Sequence, residues 1–100
     1  MGPKTNLLIE TLGELVALLR SRGEPRWSAW FESDLAALRN GDFHGVTHHL
    51  AAYGGAGSFN DFSFGSGYQT RAANELLFEF RSQAWRLADE IRRAVESEGD

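Results

Sequence analysis

The stretch TRAANELLFEFRSQAWRLADEIRRAVE, residues 70–96, decides the fold. Within it Ala73, Leu77, Phe80, Ala84, Leu87, Ile91 and Ala94 alternate spacings of four and three, which stacks apolar side chains on one face of an α-helix. The spacing predicts a helix over about residues 70–96, running up to the acidic tail Glu96–Asp100. At 1.5 Å per residue such a helix is roughly 40 Å long, against the ~26 Å diameter of a globule of this chain length. One end must overhang, bend or meet a partner. Phe78 and Trp85, seven positions apart, fall to the side of the seam and need a second cover. Either the chain's own aromatic loop or the same helix of another copy can supply it.

Upstream, Leu8, Leu12, Leu15 and Leu19 line one face of a helix over about residues 5–22, capped by Thr5 or Asn6 and closed at Gly23. Glu24-Pro25 starts a second helix, because proline is welcome in a first turn, where its missing N–H has no helical partner anyway. Trp27, Phe31 and Leu38 share its inner face, with Trp30 and Leu35 alongside, and Asn40-Gly41 ends it. A short third helix is expected from an Asp42 cap, with Phe43, Val46, Leu50 and Tyr53 on its inner side and Gly54 as its stop. Residues 54–68, GGAGSFNDFSFGSGY, carry five glycines and no helical period. Phe59, Phe62, Phe64 and Tyr68 are too many aromatics for a solvated linker, and each can anchor the segment on the core. The expected fold is all-α: one domain over residues 1–100, with four helices, the third short, and a long ordered Gly/aromatic-rich loop before a long C-terminal helix.

Composition excludes several function classes. The chain has 100 residues, no cysteine, 42% hydrophobic and 24% charged side chains. Disulfides, thiolate nucleophiles and sulfur-based zinc or iron–sulfur sites are therefore absent. A net charge of −4 gives no general attraction to nucleic acid or anionic lipid. No apolar run in the first 22 residues is long enough for a membrane span or signal peptide, so a soluble, cytoplasmic protein is expected.

The most unusual local sequence is Tyr53-Gly54-Gly55-Ala56-Gly57-Ser58-Phe59-Asn60-Asp61. Glycine at three of four positions allows positive φ and lets another chain or an anion approach the backbone closely. The spacing is neither the dinucleotide nor the phosphate-loop pattern, no lysine follows, and Asp61 would repel a phosphate. The plainer reading has Gly54 as a helix cap, Gly55 and Gly57 in a turn, and Ser58 or Asn60 bonded to the loop's own backbone, which also makes a rigid docking surface.

His44 and His48 stand four apart with Asp42 nearby, a metal-ligand spacing. Val46, Leu50 and Tyr53 are expected to point inward, which puts both histidines in solvent without supporting partners, so no metal site and no cofactor are assigned. Asp34 falls in the inner stripe of the second helix, where a carboxylate commonly sits at a helix crossing and pairs with an arginine or a helix N-terminus. Glu10/Glu14 and Glu75/Glu79 read as solvated faces, and Ser58 lacks the context of a nucleophile. Trp27 reads as core, and Trp30 and Trp85, at the edges of their stripes, as partly exposed candidates for an interface.

The run Ala52-Tyr53-Gly54-Gly55-Ala56-Gly57-Ser58-Phe59-Asn60-Asp61-Phe62 resembles the Tyr-Gly-Gly-x-Gly-Ser-x-Asn-Asp loop signature of an uncharacterised family of small bacterial helical proteins, a domain of unknown function. Trp27-x-x-Trp30, Gly41-Asp42 and Asn74-x-x-Leu77 with Arg81 extend the resemblance over most of the chain, while the three histidines, Gly65-Ser66-Gly67 and Trp85 depart from it. It brings no activity, substrate or cofactor. It implies that the loop residues belong together and that Asn74 and Arg81 hold the loop against the last helix.

The expected function is a non-enzymatic protein-interaction module, in the class of immunity or antitoxin-like proteins. It would bind an unknown protein partner through Gly54, Gly55, Gly57, Ser58, Asn60, Asp61 and Trp85. The rival is a small ligand-binding protein or enzyme holding an anion or polar ligand at the Gly-rich loop. A third reading is a homodimer through Phe78 and Trp85.

Overall fold

Two proline–glycine frames set the helix boundaries in the computed structural model, which describes residues 2–98. Helix α1 spans Pro3–Ser21 and α2 spans Pro25–Arg39, each with proline in its first turn. Both end in the same motif. Gly23 (φ 71°) and Gly41 (φ 72°) take the left-handed conformation, while Glu24 and Asp42 donate backbone N–H to Leu19 and Ala37 carbonyls, each at 2.9 Å. Helix α1 starts at Pro3 rather than at a Thr5 or Asn6 cap, because Pro3 fits a first turn and Asn6 N–H already bonds the Gly2 carbonyl at 3.1 Å. Glu24 caps α2, its carboxylate accepting Trp27 N–H at 2.7 Å.

Helix α3 is His44–Leu50, started by the Asp42 carboxylate, which accepts His44 N–H at 2.9 Å. It stops before Tyr53. The N–H groups of Ala52 and Tyr53 switch to three-residue bonds, and the Ala52 carbonyl is taken by Phe59 N–H at 2.8 Å, which turns the chain into the loop. Helix α4 is Arg71–Glu98 and follows the loop's two 3-10 turns, Phe59–Asp61 and Tyr68–Thr70. No strand occurs among the described residues. The last two residues of the acidic tail, Gly99 and Asp100, lie outside the described residues.

Leu8, Leu12, Leu15 and Leu19 are fully buried, and they meet Phe31 and Leu38 from α2, Val46 from α3 and Leu77, Ala84 and Leu87 from α4. Helix α1 packs on both α2 and α4. Lys4 pairs with Glu90 at 3.4 Å, so α1 and α4 run antiparallel and the C-terminal turns of α4 extend past the start of α1. The expected overhang is at that end: Val95 is exposed, and the molecule measures 48 Å along its longest axis against 24 and 20 Å across. Helix α3 approaches α2 closely at Gly45, where a Cβ would stand 2.8 Å from Leu38 Cγ and 2.9 Å from the Asp34 carbonyl oxygen. No helix among the described residues is long and apolar enough to cross a membrane.

Candidate functional site

The loop is bonded mainly to itself and to α4. Gly54, Gly55 and Gly57 take φ of 93°, 90° and 79°. A Cβ at any of them would meet nothing within 4 Å, so no other part of this chain approaches these glycines closely and their positive φ is what favours glycine there. The Asp61 carboxylate accepts Gly57 N–H at 3.1 Å and thus fills the position an anion would take on that N–H. This bond is made by Asp61, not by Ser58 or Asn60 as the local reading expects. Ser58 Oγ is buried and makes no hydrogen bond, so its hydroxyl is not presented to solvent as a nucleophile.

Two side chains of α4 hold the loop down, as the sequence resemblance implies. Arg81 Nη1 donates to the Phe59 and Phe62 carbonyls at 2.9 and 3.0 Å, and its guanidinium lies over the Phe59 and Phe78 rings. Burial lowers the Arg81 pKa, and Tyr53 and Asp61 oppose that shift. Asn74 accepts Phe64 N–H at 2.9 Å and donates to the Gly65 carbonyl at 2.8 Å. Phe59 is fully buried, and Phe62 and Phe64 pack partly buried beside it. Tyr68 does not anchor the loop. It is 87% exposed, because the Gly65–Thr70 turn closes through Thr70 Oγ1 on the Gly65 and Gly67 carbonyls and leaves the Tyr68 ring outside.

Between loop and helix lies an open groove of about 630 Å³. Tyr53, Gly54 and Asn60 form one wall, and Arg81, Trp85 and Arg92 contribute to the other. Of the residues singled out from sequence, Gly54, Asn60 and Trp85 come together here. Gly55, Gly57, Ser58 and Asp61 shape the loop behind the wall. Trp85 and Phe78 are each 44% exposed on the same side of α4, so the loop covers neither fully. Asp89, at the groove floor, pairs with Arg92 at 2.5 Å and Arg93 at 2.9 Å.

A second polar cluster lies under α3. Asp34 is completely buried and accepts from Nδ1 of His48 and, at 3.3 Å, from Nδ1 of His49. The expected arginine or helix-terminus partner is replaced by two histidines. Nδ1 of each imidazole faces one carboxylate oxygen, the arrangement in which an ionised carboxylate accepts from both rings. His49 Nε2 lies 3.0 Å from the Tyr53 hydroxyl, which is also 3.3 Å from the Arg81 carbonyl and serves the two as alternatives with its single proton. Burial pushes the Tyr53 phenol well above its ordinary 10.0; Arg81 opposes the shift and Asp34 adds to it. His48 is not in open solvent either: its ring stacks on Trp30 at 4.3 Å, and Trp30 Nε1 donates to the His48 carbonyl at 3.0 Å. The sequence held a signal for His49, which stands three after Val46 and four before Tyr53 on the inner face. His44 is exposed, as expected.

No curated protein and no solved structure matches the chain. A family described as a domain of unknown function, DUF6966, matches residues 20–69, from the last turn of α1 to the end of the loop. That segment contains Asp34, His48, His49, Tyr53 and the whole self-bonded loop, and it makes up half of the sequence; the chain belongs to the DUF6966 family.

Proposed function

We propose that this domain is a non-enzymatic protein-interaction module whose binding face is the groove between the Gly-rich loop and α4. The observation that carries this reading is the half-exposed Trp85 beside Tyr53, Asn60, Arg81 and Arg92, where Arg81 ties the loop to α4 through the Phe59 and Phe62 carbonyls. Tryptophan and arginine beside a pre-bonded backbone are the residue types that anchor protein partners, because they bury large area at little ordering cost. Such a groove suits a partner segment with an apolar side chain for Trp85 and a carboxylate or carbonyl for the guanidinium nitrogens that the loop carbonyls and Asp89 do not take. Small size and a net charge of −4 support an immunity or antitoxin-like role within this class, in the cytoplasm. The Tyr53–Phe62 run as a shared family signature, and a bacterial source, belong to the same proposal.

The second reading is a small polar ligand in the same groove, favoured by Asn60, Ser82 and the two arginines that line it. An anion held by Gly57 N–H loses support, since Asp61 occupies that donor. Affinity capture from cells of origin with wild type, Trp85→Ala and Glu14→Ala tests the proposal. One stoichiometric protein retained by wild type and Glu14→Ala but lost by Trp85→Ala is the expected result. Equal capture by all three overturns the groove as binding face, and no captured protein moves the reading to a small ligand. Light scattering of the purified chain reports separately on a dimer through Phe78 and Trp85.

A further inference from the structure

We propose that His44 and His48 form a two-histidine site for a late first-row divalent cation such as zinc, with Asp34 as the buried residue that positions His48. This inference is independent of the groove. The two rings are neighbours on α3, with centroids 5.8 Å apart and planes 37° apart. Two imidazoles bound through Nε2 to one tetrahedral zinc, at about 2.0–2.1 Å each, place their centroids roughly 5 Å apart, close to the spacing of these two rings.

The decisive feature is what surrounds His48. Its Nδ1 faces the buried Asp34 carboxylate, and with Nδ1 as the donor in that contact the Nε2 lone pair is left for a metal. One ring face is stacked on Trp30, and 29% of the side chain remains exposed. A carboxylate behind a histidine is the arrangement that orients a metal-binding imidazole and raises its basicity. His44 is exposed, and the Asp42 carboxylate fixes the helix start that carries it by accepting its N–H at 2.9 Å. Among the described residues no group of three His, Asp or Glu converges on one point, so the chain supplies two ligands and water completes the coordination.

Zinc titration of the full chain, read by histidine ring nitrogen NMR and by thermal unfolding, tests this. Saturable binding should shift Nε2 of His44 and His48 together, leave the His48 Nδ1 proton in place, and raise the wild-type unfolding temperature. His44→Gln, a change at an exposed position, should weaken zinc at least about tenfold while the fold is kept. Asp34→Asn should weaken it about 10- to 100-fold, the range for loss of an orienting carboxylate. If Asp34→Asn does not fold, His44→Gln and the ring signals decide. Zinc that binds wild type no tighter than His44→Gln is an adventitious ion only and overturns the proposal, as does the absence of saturable binding.

Discussion

Replacing Asp34 by alanine should be among the most destabilising single changes in this chain. The carboxylate is completely buried and satisfies one donor from His48 and one from the fully buried His49. Hydrogen bonds to a charged group contribute about 1.5–3 kcal/mol each, and the His49 Nδ1–H left behind has no water to turn to. Removing one partner of a buried charged cluster typically costs about 3–5 kcal/mol. Against a total stability of roughly 5–15 kcal/mol, that loss removes between about a fifth and all of it. The loss corresponds to a fall in Tm of at least about 12 °C for a domain of this size. Asp34→Asn keeps one acceptor but turns an amide against the other Nδ1–H, so its cost should be intermediate. Urea unfolding of wild type, Asp34→Ala, Asp34→Asn, His49→Leu and the Asp34→Ala/His49→Leu double variant measures this, the two single variants and the double variant closing the cycle that gives the coupling. A loss below about 1 kcal/mol for Asp34→Ala, or a coupling indistinguishable from zero, would refute the buried carboxylate–histidine cluster as a structural cross-link between α2 and α3.

Three further outcomes follow from other contacts. Gly45→Ala should cost about 1–3 kcal/mol in urea unfolding, because its Cβ would press on Leu38 Cγ at 2.8 Å and on the Asp34 carbonyl oxygen at 2.9 Å, and the latter is backbone. Arg81→Met should release the loop before the helices, seen as faster amide exchange over residues 57–65 with little change in helical circular dichroism, since the Phe59 and Phe62 carbonyls lose their shared donor. Tyr53 has a folded pKa raised above its unfolded value of 10.0, so the stability it contributes is full below about pH 10 and is lost as pH climbs toward the folded value. In a Tyr68→Phe background, phenolate absorbance should therefore appear near pH 10 only when the chain is unfolded in guanidinium. Its appearance there in the folded protein would contradict the buried phenol.

Local and periodic features were legible in the sequence, and pairings across helices were not. The α4 seam, the leucine face of α1 and the glycine stops at Gly23 and Gly41 all follow from periodicity or φ preference within a few residues. The roles of Asn74 and Arg81 came from resemblance and agree with the contacts they make on the loop. The apolar stripe of α2 puts Asp34 at a helix crossing, but its partners lie 14 and 15 residues away on another helix, and a helical period does not say which histidine turns toward a carboxylate. The helical period puts Leu50 inside, yet it is half-buried and His49 beside it is fully buried, because α3 ends after Leu50 and Tyr53 reaches inward from outside the helix. Tyr68 misled for a related reason: aromatic content predicts that a loop is anchored, not which ring a terminal turn leaves outside.

The groove beside Trp85 is the face proposed to meet a protein partner. A photo-crosslinking amino acid placed at position 85 and, separately, at position 14 on the solvated face of α1 tests it in the cells of origin. The account predicts one dominant crosslinked protein from position 85 and none from position 14. Equal crosslinking from both positions, or from position 14 alone, would contradict it.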